Sequence, residues 1–264
     1  MMPLKMINCL RKKTISFYLS VFVLLIAFSA APVWAEENSA EADVWKYRVD
    51  AYLWGASVGG ESASGGDIDV KFKDLVEDMD LGLMTSLAAE KSKWIFEADV
   101  IYLDIEEKGD FELDPVLEVD DIELTGWILN PFVGYKVLEG EHGYLAVLGG
   151  ARYLYLDLDL ELATRPPLPP VKETFSEDGE YWDGIVGVIG RVTLNERWAL
   201  PYYLDIGTGD TDMTWQVFGG VSYAFEKFEL IAGYRYLEWD FKSGNKAFNE
   251  LTLSGPMVGA RFRF

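Results

Sequence analysis

The amino-acid sequence predicts an all-β protein: a closed antiparallel transmembrane β-barrel of about ten strands, with eight as the alternative. Three observations point there. Apolar and polar residues alternate with a period of two over most of residues 45–264, which sends successive side chains of an extended chain to opposite faces. Along one face, Ala151, Tyr153 and Tyr155 give way to Asp157, Asp159 and Glu161, as if the strand left an apolar medium and entered water. Tight turns also alternate with longer connections, and the chain starts and ends on the short-turn side.

Residues 1–35 stand apart from this pattern. Arg11, Lys12 and Lys13 precede an apolar stretch from Ile15 to Ala30, and Val33-Trp34-Ala35 has the small-residue spacing of a cleavage site, so the segment reads as a signal peptide. Residues 36–44 form a short periplasmic N-terminal segment, and 45–264 the barrel. Cys9 is the one cysteine and lies within the signal, which leaves the mature chain without thiol chemistry. Cleavage removes four basic residues (Lys5, Arg11, Lys12 and Lys13) and no acid, moving the net charge from −21 to −25. A chain so acidic repels nucleic acid.

The strands follow in order. Residues 45–55 carry Arg48, Asp50, Tyr52 and Trp54 inward, and 81–90 carry Glu90. In 94–104, Trp94, Phe96, Ala98, Val100 and Tyr102 share an outward face before Asp104 and Glu106, a run of the length a tilted strand needs to cross hydrocarbon. Glu97 and Asp99 lie on its other face. In 121–137, keeping Leu124, Gly126 and Ile128 outward together with Val133, Tyr135 and Val137 requires a bulge at Asn130-Pro131 and turns Glu123 inward. Strand 144–160 directs Arg152 inward, 181–193 directs Asp183 and Arg191, and 197–206 directs Asp205. In 213–225, Trp215, Val217, Gly219, Val221, Tyr223 and Phe225 put aromatics at both ends of one face. In 228–241, Leu230, Ala232, Tyr234 and Tyr236 lead to Glu238 and Asp240, with Arg235 opposite. The last strand, 250–264, ends with Ala260, Phe262 and Phe264 on one face.

The outward aromatics Trp94, Tyr102, Tyr153, Tyr155, Trp215, Tyr223, Tyr234, Tyr236, Phe262 and Phe264 are expected at the lipid interfaces. Arg48, Asp50, Glu90, Glu97, Asp99, Glu123, Arg152, Asp183, Arg191, Asp205 and Arg235 are expected to line the lumen. Tight turns are expected near Ser92, Leu138–Gly143, Asn195-Glu196 and Glu226-Lys227 on the periplasmic side. Longer extracellular connections are expected near 56–80, 105–120, 161–180, 207–212 and 242–249, with hairpins at 67–72 and 106–120 as an alternative. A short helix is expected over 73–80, and a stiff extended segment at Arg165–Pro170.

The terminal SGPMVGARFRF resembles the last strand of Gram-negative outer-membrane β-barrel proteins, whose final aromatic is read by the barrel assembly machinery. Val70–Asp104, together with YRYLEWDF and LSGPMVGARFRF, resembles segments of a small outer-membrane barrel family without an assigned activity. The resemblance implies a bacterial outer-membrane location and carries over no catalytic residues.

Composition narrows the chemistry further. His142 is the one histidine, and it falls in a turn on the periplasmic side, away from any outer-rim site; no enzymatic activity and no cofactor are expected. The carboxylates of Asp157, Asp159 and Glu161, about 7 Å apart along a strand, suit a hydrated surface. A calcium or magnesium ion bridging lipopolysaccharide phosphates is the alternative use of that row, but no Asp-x-Asp-x-Asp-Gly loop accompanies it, and no metal site is assigned. The functional expectation is a structural element or narrow channel with a charged, largely occluded lumen, in contact with membrane lipid and lipopolysaccharide. The alternative is a surface-binding module that uses the acidic extracellular loops.

Overall fold

A computed structural model describes residues 44–62, 67–70, 79–114, 117–164, 172–242 and 248–264. The expected signal peptide, the helix over residues 73–78 and the Arg165–Pro170 segment lie outside them. Within them the strands are β1 (Lys46–Trp54), β2 (Ser57–Ser62), β3 (Asp67–Val70), β4 (Met79–Lys91), β5 (Trp94–Asp114) and β6 (Leu117–Gly140). They continue as β7 (Gly143–Thr164), β8 (Lys172–Thr193), β9 (Trp198–Gly209), β10 (Met213–Ala224), β11 (Glu229–Asp240) and β12 (Phe248–Arg263). Met79 and Asp80, expected at the end of a helix, begin β4.

All neighbours pair antiparallel, in the order β1-β4-β5-β6-β7-β8-β9-β10-β11-β12, and β1 also pairs with β12, so ten strands close into a barrel. Closure leaves no sheet edge to strand backbone groups in an apolar medium. β2 carries β1 onward along β12 in the same register and forms a small hairpin with β3 above the barrel. At one end the turns are tight: Ser92-Lys93, Glu141-His142, 194–197 and 225–228. At Gly143, with φ of +119°, a Cβ would fall 1.8 Å from the Arg191 carbonyl oxygen, so only glycine fits where this turn meets β8.

The opposite end is uneven. β9, β10 and β11 have 12 residues each, whereas β5 has 21, β6 has 24, β7 has 22 and β8 has 22. Residues 105–114, 117–120, 161–164 and 172–180, expected in long loops, therefore extend the barrel wall on one side as a four-stranded sheet. β7 and β8 pair through them in one register, whereas β6 shifts against β5 between Lys108 and Phe111 and between Glu112 and Asp114, and against β7 between Val119 and Asp121.

The phase of β6 differs from expectation. Pairing with β5 runs Tyr102↔Trp127, Ile101↔Ile128, Val100↔Leu129, Asp99↔Asn130 and Ala98↔Pro131 with no shift, so no bulge occurs at Asn130-Pro131. Trp127 is exposed and Ile128 is buried. On the β7 side the register is unchanged from Leu129↔Tyr153 to Phe132↔Gly150. A Cβ at Gly150 would lie 2.2 Å from the Pro131 carbonyl oxygen; glycine lets β7 close against β6 where proline offers no N–H. Glu123 pairs with Glu106 and Asp159 and shares the alternation phase of Trp127, not that of Asn130. It is thus out of phase with the lumen position expected for it.

The outer surface is apolar. Leu53, Val133, Val147, Val186, Leu204, Val217, Val221 and Val258 are exposed, as a wall facing lipid requires.

Candidate functional site

The barrel interior is the candidate site, and the pairing register organises it into rows. One row of direct cross-strand neighbours from β4 to β8 is Met84, Ile101, Ile128, Leu154 and Tyr181. Two residues toward the short-turn end, the same strands present Ser86, Asp99, Asn130, Arg152 and Asp183. Polarity therefore changes completely within one inward repeat, about 7 Å along each strand.

The apolar row belongs to a buried cluster with Tyr52, Trp54, Leu237, Trp239, Phe241, Leu251 and Leu253. An interior expected to be charged is thus apolar and aromatic in its half nearer the long-loop end. Alternation specifies that a side chain points inward but not whether inward means water, and this half is packed like a soluble core.

Below it, Arg152 is fully buried. It donates from Nε to Asn130 at 2.8 Å, from Nη1 to Thr214 at 2.7 Å and from Nη2 to Asp205 at 2.5 Å. Arg235 donates to Gln216, to the Tyr52 hydroxyl at 3.1 Å and to Asp99 at 2.8 Å. Tyr52 in turn donates to Asp99 at 2.5 Å. Asn130 joins the two arginines, accepting from Arg152 and donating to Asp99 at 3.4 Å. Both guanidinium groups also touch the apolar layer: Arg235 lies 4.7 Å from the Trp54 ring and Arg152 5.9 Å from that of Trp239, a favourable placement for a cation over an aromatic face.

A second ionic tier lies nearer the short turns. Arg48 pairs with Glu97 and, at 3.5 Å, with Glu90. Lys136 bridges Glu90 and Glu139 at 3.1 Å each. Asp50 accepts two bonds from Arg261, at 2.8 and 2.7 Å, across the β1–β12 seam. Arg191 and Arg263 share Glu229. Asp183 is the exception. It accepts from the Thr211 amide at 3.0 Å, and no basic side chain pairs with it among the described residues. A cavity of about 110 Å³ runs through these tiers, lined by Arg48, Asp50, Ser86, Glu97, Asp99 and Arg261 among others.

Ten of the eleven charged positions named from the sequence, all but Glu123, thus lie on inward-facing positions. Asn130, Lys136, Thr214, Gln216, Glu229, Arg261 and Arg263 were missed. Lys136, Glu229, Arg261 and Arg263 were legible from their alternation with exposed Tyr135, Leu230 and Phe262. Asn130, Thr214 and Gln216 are neutral and gave no such signal.

On the outside, Trp94, Tyr234, Phe262 and Phe264 are exposed. Tyr153 packs on Trp182, Tyr155 lies one outward step beyond Tyr153, Tyr223 packs on Trp198, and Trp215 stacks on Tyr236 at 4.7 Å. Tyr102 departs from the expectation of exposure: it is 4% exposed, with its ring 4.5 Å from that of Trp127. The unshifted β6 register places Trp127 directly beside it. His142 is exposed in the β6–β7 turn at the short-turn end.

Closed antiparallel pairing with an apolar exterior and a paired ionic interior defines a membrane-spanning β-barrel. No family model and no curated protein matches the chain. Among solved structures it is similar to the translocator domain of autotransporter NalP from Neisseria meningitidis, at 15% identity over 96% of this chain and 98% of that one, with a TM-score of 0.45. It is also similar to the outer membrane protease OmpT from Escherichia coli, at 9% identity over 87% and 99%, with a TM-score of 0.45. A third is an outer membrane channel from Pseudomonas putida F1, at 10% identity over 87% and 100%, with a TM-score of 0.38. The three are outer-membrane barrel proteins, and the likeness is one of fold.

Proposed function

We propose that the protein is exported by its N-terminal signal, inserted into a bacterial outer membrane through its C-terminal strand, and acts there as a structural element or narrow channel with a largely occluded lumen. Membrane lipid and lipopolysaccharide are its surroundings, and its role is not catalytic. The observation that carries this reading is the mutual pairing of the interior charges. All three guanidinium nitrogens of Arg152 are engaged by protein partners, as are Arg235 and Asp50. Charges compensated in this way brace the wall across the lumen rather than attract a passing solute.

The test is bilayer recording on protein whose migration on a denaturing gel is heat-modifiable. The expected result is folded protein in the membrane fraction with weak or absent ionic current. Steady open-pore currents from the unaltered protein overturn the occluded reading, and recovery of the folded protein from detergent-free periplasmic extract overturns the membrane reading.

The one-sided extension of β5–β8 favours a second reading, a surface-binding module. Its segments 104–114, 117–124, 156–164 and 172–182 hold 17 acidic residues and two lysines. Binding of intact cells or lipopolysaccharide that is lost when Asp157 and Asp159 are both changed to asparagine supports this second role.

A further inference from the structure

We infer that the barrier closing the lumen is the apolar layer, not the ionic tiers, and that Trp54 joins that layer to the tier below it. The inference rests on the occluded-lumen reading and says where the occlusion lies. Trp54, Ile101, Ile128, Leu154, Leu237 and Trp239, from five strands, are each at most 4% exposed. An ion leaving the polar row at Asp99 and Arg152 toward the long-loop end meets no polar side chain in the next inward row from β4 to β8 except Tyr181. A narrow apolar constriction of this kind stops ions because they must shed water with nothing to replace it. The tiers below hold a cavity of about 110 Å³ whose lining includes Ser86, Arg48, Tyr144 and Arg191, so hydration is accommodated there.

Trp54 links the layer to the tier below it, on a strand end that keeps its β12 partner Met257 but has left β4. The β1–β4 pairing ends at Ala51↔Thr85, three residues before it. Its amide donates to the Met84 sulfur at 3.1 Å, a weak acceptor, in place of a β4 carbonyl. Its indole N–H donates to the Gly255 carbonyl at 3.3 Å. The face of its ring is held by Arg235, which is anchored to Asp99 and Gln216. Displacing Arg235 therefore removes the contact on the ring face of Trp54, which couples the ionic tier to the barrier above it.

Two measurements test this. In planar bilayers, Trp54→Ala combined with Leu237→Ala is expected to give discrete current steps where the unaltered protein is silent, whereas Glu97→Gln remains silent. If the Glu97 variant conducts and the folded double variant does not, the inference fails while the occluded reading stands. If the unaltered protein conducts as an open pore, the occluded reading itself fails. The second measurement does not depend on the double variant folding. Ser86→Cys, a near-isosteric change placed in a Cys9→Ser background, is exposed to a charged, membrane-impermeant thiol reagent in oriented proteoliposomes. Labelling is expected from the short-turn side and protection from the long-loop side. Labelling from the long-loop side, or protection from both sides, overturns the inference.

Discussion

Arg152 on β7 and Asp205 on β9 form an ion pair at 2.5 Å with both side chains fully shielded from solvent. The two strands are not neighbours, since β8 lies between them, so the pair braces the wall from inside. Changing Arg152 to Met leaves the Asp205 carboxyl buried without its cation and takes a donor from Asn130 and Thr214, which keep their bonds to Asp99 and the Glu238 carbonyl. Such a change costs about 3–5 kcal/mol. Denaturant titration of the folded barrel in lipid is expected to show that loss, and replacing Arg152 and Asp205 together by leucine is expected to cost less than the single change.

The β1–β12 seam depends on Asp50 and Arg261, whose two bonds are charge-assisted. Asp50→Asn is expected to destabilise the barrel by about 2 kcal/mol, the scale of a hydrogen bond to a charged group. Arg263, whose side chain is 53% exposed beside Glu229, is expected to cost under about 1 kcal/mol when changed to Gln, because water screens the pair. Parallel unfolding curves of the two variants check the ranking.

The phase of β6 is directly measurable. An environment-sensitive dye on Trp127→Cys is expected to report lipid and to be quenched by lipid-borne quenchers. The same dye on Leu129→Cys is expected to behave alike, one outward step along. Ile128→Asp is expected to abolish the heat-modifiable folded form, because it buries a carboxylate against Ile101 and Leu154 with no partner. A quenched dye on Ile128→Cys and an unquenched one on Trp127→Cys reverse the assignment.

At the long-loop rim, beyond Tyr234 and Tyr236, Asp240 sits near Glu238 and Glu250. Burial first, then the charges of Glu238 and Asp212, push its carboxyl above the ordinary value. The folded state therefore holds this proton more tightly than the unfolded chain does. The associated stability is fully present below the ordinary aspartate pKa and is lost as pH rises through the raised one. Asp240→Asn is expected to remove that dependence, so the stability difference between variant and unaltered protein grows in the variant's favour from acid to neutral pH. Paired unfolding titrations across that range read it.

The wall was legible in the sequence because its rule is local. A lipid-facing strand advertises itself by alternate apolar residues bounded by aromatics, and Trp94–Phe96 and Trp215–Tyr223 follow that rule. The error at β6 came from placing Leu124, Gly126 and Ile128 on the lipid-facing side. Ile128 obeys a different demand, filling the interior beside Leu154. The long segments after Asp104 and Leu160 were expected as loops, with a hairpin at 106–120 as the alternative; they pair as strands although the register shifts between Lys108 and Phe111, Glu112 and Asp114, and Val119 and Asp121.

An antiparallel barrel of about ten strands and the outward or inward sense of most side chains follow from the sequence by itself, because a period of two is a property of each extended segment alone. What stands opposite an inward side chain was decided only by the tertiary structure. Closure of β1 on β12 brings Tyr52 to Asp99 and Arg235, residues 47 and 183 positions away along the chain. Direction is set by neighbouring bonds, whereas distance across a lumen depends on the register of every strand between, and no single stretch of sequence contains that sum.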